Sequence, residues 1–184
     1  MKHRLHRTKN GFTLIELMVV IVIMGILVTI GIFAFQSSQK KSRDARRKSD
    51  VSQVSKALEM YNNDVGTYPA GGTVGTADAG KIIGCGDTIK TACSWGGSFS
   101  NTTKATYMVK LPIDPTSGRV YYYERSGSNG YRLYARLENT EDSSIPTTDP
   151  KVYNKNCGSS SSVVCCNFVL TSSNVAEPTP QACQ

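Results

Sequence analysis

Residues 12–63 read FTLIELMVVIVIMGILVTIGIFAFQSSQKKSRDARRKSDVSQVSKALEMYNN, and the change of pattern inside this stretch decides the fold. Residues 12–35 are an apolar run with a single charge, Glu16. As a helix rising about 1.5 Å per residue the run spans about 36 Å, enough for a bilayer core of about 30 Å. Beyond it the chain turns polar and basic, then amphipathic, with Val51, Val54, Leu58 and Tyr61 at helical spacing. No proline interrupts residues 12–63, and Lys56, Ala57, Leu58, Glu59 and Met60 are good helix formers. One long helix is expected, ended by Asn62, Asn63, Asp64, Gly66 and Pro69. Its first half has membrane length, and its second half needs a partner for an apolar stripe of only about three turns, short for a coiled coil.

On the N-terminal side, the leader MKHRLHRTKN carries Lys2, Arg4, Arg7 and Lys9. Basic residues before a span favour the cytoplasmic side, which places the rest of the chain across the membrane. Lys40, Lys41, Arg43, Arg46, Arg47 and Lys48 then lie on the outer side, against the same tendency. They are expected to be a solvated helix face, with anionic headgroups as the sharper alternative. The formal net charge of +7 is thus concentrated around the apolar run. The basic run lacks interleaved aromatics, so DNA is not expected as the main partner. No small-residue cleavage site follows Phe35, so the run is expected to be retained, an uncleaved signal anchor being the plain alternative. A carboxylate inside a membrane helix is costly, which makes Glu16 a functional candidate unless it simply reaches the headgroups.

On the C-terminal side, residues 70–103 are dense in Gly, Ser and Thr and read as a long loop tied by Cys85 and Cys93, with Trp95 as an anchor to the core. Strand signals lie at 107–109, 120–124 and 131–137, and the turn residues 126–130 make the last two an antiparallel hairpin. Leu133, Ala135 and Leu137 should face inward and Arg132, Tyr134 and Arg136 outward. Tyr121, Tyr122 and Tyr123 read as sheet packing. The six cysteines, Cys85, Cys93, Cys157, Cys165, Cys166 and Cys183, all follow the apolar run and are disulfide candidates in an oxidising compartment. Cys85 with Cys93 is the favoured local pair, and adjacent Cys165 and Cys166 should serve different partners. No zinc is expected, because His3 and His6 lie in the leader and no CxxC occurs. No catalytic motif is present and no histidine follows the leader, so a membrane-anchored enzyme is the weakest reading and no cofactor is expected.

Lys9-Asn10-Gly11 followed by Phe12-Thr13-Leu14-Ile15-Glu16-Leu17 resembles the class III signal, KxGFTLIEL, of type IV prepilins and type II secretion pseudopilins. The resemblance implies cleavage by a prepilin peptidase between Gly11 and Phe12, N-methylation of Phe12, and a contact of Glu16 with the N-terminal ammonium of a neighbouring subunit. It implies a pilin-like α+β fold: a leader at 1–11, a membrane or filament-core helix at 12–35, its amphipathic continuation at 36–63, and an antiparallel β-sheet head at 64–184. LPIDPTSGRVYYYE, with TYP before it and YRLYARLE after, is similar to the heads of this family. Many members carry a proline in the first part of the helix, and this chain does not. Some major pseudopilins bind calcium near this region of the head, which directs attention to Asp114, Glu138, Glu141, Asp142 and Asp149, although no D-x-D-x-D-G run exists.

The function this implies is a structural subunit of a type IV pilus or pilus-like filament, with a secretion pseudopilin as the alternative. The cysteine-rich tail puts the pilus first. The implied partners are further copies and other pilins, the peptidase, an assembly platform with its ATPase, and the inner membrane. The precursor would cross that membrane once with its head outside the cytoplasm, then join a pilus or a periplasmic filament.

Overall fold

The computed structural model describes residues 11–86, 91–101, 105–159 and 163–183. The basic leader, with Lys2, Arg4, Arg7, Lys9 and both histidines, lies outside the described residues. The fold is α+β, and the chain divides into two compact units, Met1–Gln39 and Lys40–Gln184.

Among the described residues one helix forms, α1 (Leu14–Val65), and it takes up all of residues 12–63 except Phe12 and Thr13. Thr13-x-x-Glu16 starts it as a capping box: the Thr13 amide donates to Glu16 Oε2 at 2.8 Å, and the Glu16 amide donates to Thr13 Oγ1 at 3.3 Å. Gly66, with φ of 82°, follows its last residue, and its amide donates to the Asn62 carbonyl.

Among the described residues eight short strands follow, all paired antiparallel: β1 (Ala70–Gly71), β2 (Ile82–Cys85), β3 (Thr91–Cys93), β4 (Phe99–Ser100), β5 (Thr106–Met108), β6 (Tyr122–Ser126), β7 (Gly130–Ala135) and β8 (Phe168–Thr171). They form sheets ordered β1-β2-β3, β4-β5 and β6-β7-β8. The β6–β7 hairpin pairs Tyr122 with Tyr134 and Ser126 with Gly130, and Gly127 at φ 65° supplies its turn. Residues 70–103, expected as an irregular loop, instead hold four strands, because Ile82 and Phe99 are fully buried and draw their segments onto the core. The tail supplies β8, which pairs with β7 from Arg132↔Thr171 to Ala135↔Phe168.

The core is built around the second half of α1. Val51, Val54, Ala57, Leu58 and Tyr61 form one buried stripe and cluster with Phe99, Leu111, Tyr121, Tyr123, Tyr131, Leu133 and Leu137 of the head. The Tyr61 ring stands 5.5 Å from Phe99 and 5.2 Å from Tyr107, and Trp95 packs edge-on against Tyr121 at 5.5 Å. Burying a large apolar side chain stabilises by about 1.5–3 kcal/mol, so this stripe supplies much of the attachment of α1 to the head. Polar partners register it: Tyr121 donates to Asp50 at 2.7 Å, and Tyr68 donates to Glu59 at 2.7 Å.

The expected alternation along β7 is broken at Tyr134, which is 1% exposed rather than outward-facing in water. Tyr134, Tyr122, Tyr153, Cys157 and Cys166 make a second small core on the far face of the sheet. Disulfides hold the covering tail there, with Cys157–Cys166 at a Cα separation of 5.2 Å and Cys165–Cys183 at 5.6 Å. The third disulfide, Cys85–Cys93, links β2 to β3.

Candidate assembly site

The first half of α1 offers an exposed apolar surface with no partner among the described residues. Its most apolar window has a mean hydropathy of 3.0 and buries nothing, and Phe12 is 91% exposed. By length and composition this helix is able to cross a membrane. A side chain at Gly25 or Gly31 would meet, beyond its own stretch of helix, no described atom within 4 Å, which leaves room there for close approach of another helix.

Glu16 lies in the first turn of this surface. Thr13 provides it with two donors, the amide at 2.8 Å and the hydroxyl at 2.6 Å, and both fall on Oε2. Among the described residues no basic side chain forms an ion pair with it. The carboxylate therefore caps its own helix and keeps Oε1 for a further donor. Thr13, three positions before Glu16 and just ahead of an apolar run, is the sequence signal of this cap. Gly11 and Phe12 precede the helix, exposed and without regular structure.

A second cluster sits where α1 joins the head. Arg47, placed by the sequence on a solvated face, is instead 0% exposed. Its Nε and Nη2 donate to the two oxygens of Asp114, both at 2.8 Å; Nη1 donates to Asp44 and to Glu138, both at 2.8 Å; Nη2 also donates to Thr116 at 2.7 Å. All five guanidinium donors are used. Arg43 grips Glu138 with two further donors, and Lys48 donates to Asp142 at 2.7 Å. Asp44 in turn accepts the amides of Glu138 and Asn139.

The network pins residues 43–48 of the helix to the loops at 114–116 and 138–142. Hydrogen bonds from Arg43 and Arg47 hold the Glu138 carboxyl well below the usual carboxylate range despite its partial burial. Burial alone would lower the Arg47 guanidinium, but Asp114, Glu138 and Asp44 outweigh it and raise it. Of the carboxylates considered for calcium, Asp114 and Glu138 are thus bound by arginine and Asp142 by lysine. Among the described residues no cluster of three or more His, Cys, Asp or Glu is gathered to hold a metal ion.

Residues 6–32 match the family model described as the prokaryotic N-terminal methylation motif. The type II secretion system core protein G of Pseudomonas aeruginosa is 33% identical over 130 residues, covering 70% of this chain and 83% of that protein. The chain belongs to the prepilin and pseudopilin family. The core protein G of Escherichia coli K12 is 30% identical over 141 residues, 77% of this chain and 88% of that protein, and that of Vibrio cholerae is 31% identical over 124 residues, 67% and 76%. No solved structure gives a significant match. These relatives fit a secretion pseudopilin, the alternative, better than a pilus subunit. The similarity extends far past the signal into the head, and all three relatives are type II secretion system core proteins.

Proposed function

We propose that this chain is a pseudopilin of the core G kind, a non-enzymatic subunit that builds a periplasmic filament for type II protein secretion. The observation that carries the reading is similarity to three such proteins over two-thirds or more of the chain, head included. A shared signal alone would fit a pilus subunit equally well.

In this reading residues 12–35 hold the precursor in the inner membrane with the head on the periplasmic side. A prepilin peptidase cuts between Gly11 and Phe12 and methylates the new amine, leaving an ammonium four residues before Glu16. The capping box occupies Oε2 of Glu16, and Oε1 is free to accept from the Phe12 ammonium of an adjoining subunit. In a packed apolar core an unpaired charge is heavily penalised, so this pair fixes which copies stand side by side and in what register. Other pseudopilins, an assembly platform and its ATPase complete the set of partners.

The test is deletion of the gene in its own bacterium, with exported proteins assayed in the medium and filaments sought on the cell surface by electron microscopy. Loss of secretion with surface filaments unchanged supports the pseudopilin. Loss of long surface filaments labelled by this protein, with secretion intact, returns the pilus subunit to first place.

A further inference from the structure

The six basic residues between positions 40 and 48 separate into two sets. Arg43, Arg47 and Lys48 are spent on the head's own carboxylates, Glu138, Asp114 and Asp142. Lys40, Lys41 and Arg46 remain exposed. Asp44, the one acid in the sequence between residues 36 and 48, is 2% exposed and bound to Arg47, so it does not offset them. Asp50 stands 3.9 Å from Arg46 Nε but already accepts the Tyr121 hydroxyl at 2.7 Å. Arg46 thus has a carboxylate beside it, and among the described residues Lys40 and Lys41 are left as the uncompensated positive charge on the outward side of this segment.

Its place in the chain says what meets that charge. Lys40 follows Phe35, the last residue of the apolar run, by five positions, or about 7.5 Å of helix rise. The polar layer of a bilayer extends about 5–7 Å beyond the hydrocarbon on each side. We infer that Lys40 and Lys41 are a docking site for anionic phospholipid headgroups of the leaflet from which the span emerges. Basic residues beside a span are attracted to anionic lipid over about a Debye length, and the attraction is screened by salt. Residues 36–50 contain no aromatic to stack a nucleic-acid base, which favours lipid phosphate over DNA. Release of these contacts then accompanies withdrawal of the subunit from the membrane.

The inference rests on residues 12–35 being a membrane span, and incorporation of the full chain into nanodiscs checks that span first. In mixed phosphatidylcholine and phosphatidylglycerol discs, spin-labelled forms of each lipid report which one the protein holds at its perimeter. The wild type is expected to hold phosphatidylglycerol several-fold over phosphatidylcholine at low salt. The double variant K40A/K41A should lower that preference several-fold, as should high salt, whereas Lys110→Ala and Lys151→Ala, at exposed sites in the head, should leave it unchanged. Far-UV circular dichroism and intact disulfides establish that the variants are folded.

An unchanged preference in the double variant assigns the effect to the leader and overturns the site. Equal retention of both lipids by the wild type, or duplex-DNA binding lost in the double variant without a change in lipid preference, overturns it as well. Failure to incorporate removes the span and the site together. Secretion plays no part in this readout, so a negative lipid result leaves the pseudopilin reading to its own test.

Discussion

The two halves of α1 differ in where they find their partners. The second half buries Val51, Val54, Ala57, Leu58 and Tyr61 in the head and sinks a fully hydrogen-bonded arginine beside them. The first half exposes every described side chain from Leu14 to Ile32, and its carboxylate has only Thr13 for company. Both are regular helix, so backbone geometry does not separate them. One half is completed by this chain and the other by whatever surrounds it, membrane or neighbouring subunits.

The sharpest way to break this contrast is at Arg47. Arg47→Ala leaves Asp44, Asp114 and part of Glu138 buried against a missing cation, a class of change that costs about 3–5 kcal/mol. Thermal unfolding of the full chain in detergent micelles should show a large fall in midpoint; an unchanged midpoint would mean the network is solvated after all. Leu58→Ala should cost about 2–5 kcal/mol by opening a cavity in the same half. Leu27→Ala, in the exposed half, should leave the head's midpoint within error, and equal losses at both leucines would erase the distinction.

A smaller effect is expected from acid. Glu138 is held below its ordinary range by Arg43 and Arg47, and Asp142 by Lys48. Their contribution is therefore complete above the unfolded carboxylate values near about 4, and is lost as pH falls through the lower folded values. Unfolding midpoints should be level from neutral pH to about pH 5 and decline below about pH 4. Arg43→Ala should flatten that decline, and a slope unaffected by it would assign the acid sensitivity elsewhere.

Much of the fold was legible because its signals are local. The apolar run, the 51-54-58-61 stripe and the turn between β6 and β7 each declare themselves within a few residues, and the helix ends within two residues of its expected bounds. Arg47 was not legible, since its partners Asp114 and Glu138 lie 67 and 91 positions away and a lysine- and arginine-rich stretch reads as a wet surface. Tyr134 was misplaced for the same reason: its cover is the tail, a segment with little apolar content that disulfides hold in place. The strands within residues 70–103 are too short, two to four residues each, to show a period. At the assembly site the glutamate stood out by its cost in hydrocarbon, while Thr13 passed unnoticed as an ordinary polar neighbour.

The measurement that bears most directly on the central claim is complementation of a deletion strain with Glu16→Ala, following leader removal, membrane insertion and export of secreted proteins together. The account expects the variant to be cut between Gly11 and Phe12, to insert and to fold its head like the wild type, yet to leave secretion as low as in the deletion strain. Secretion restored to the wild-type level by Glu16→Ala would contradict it.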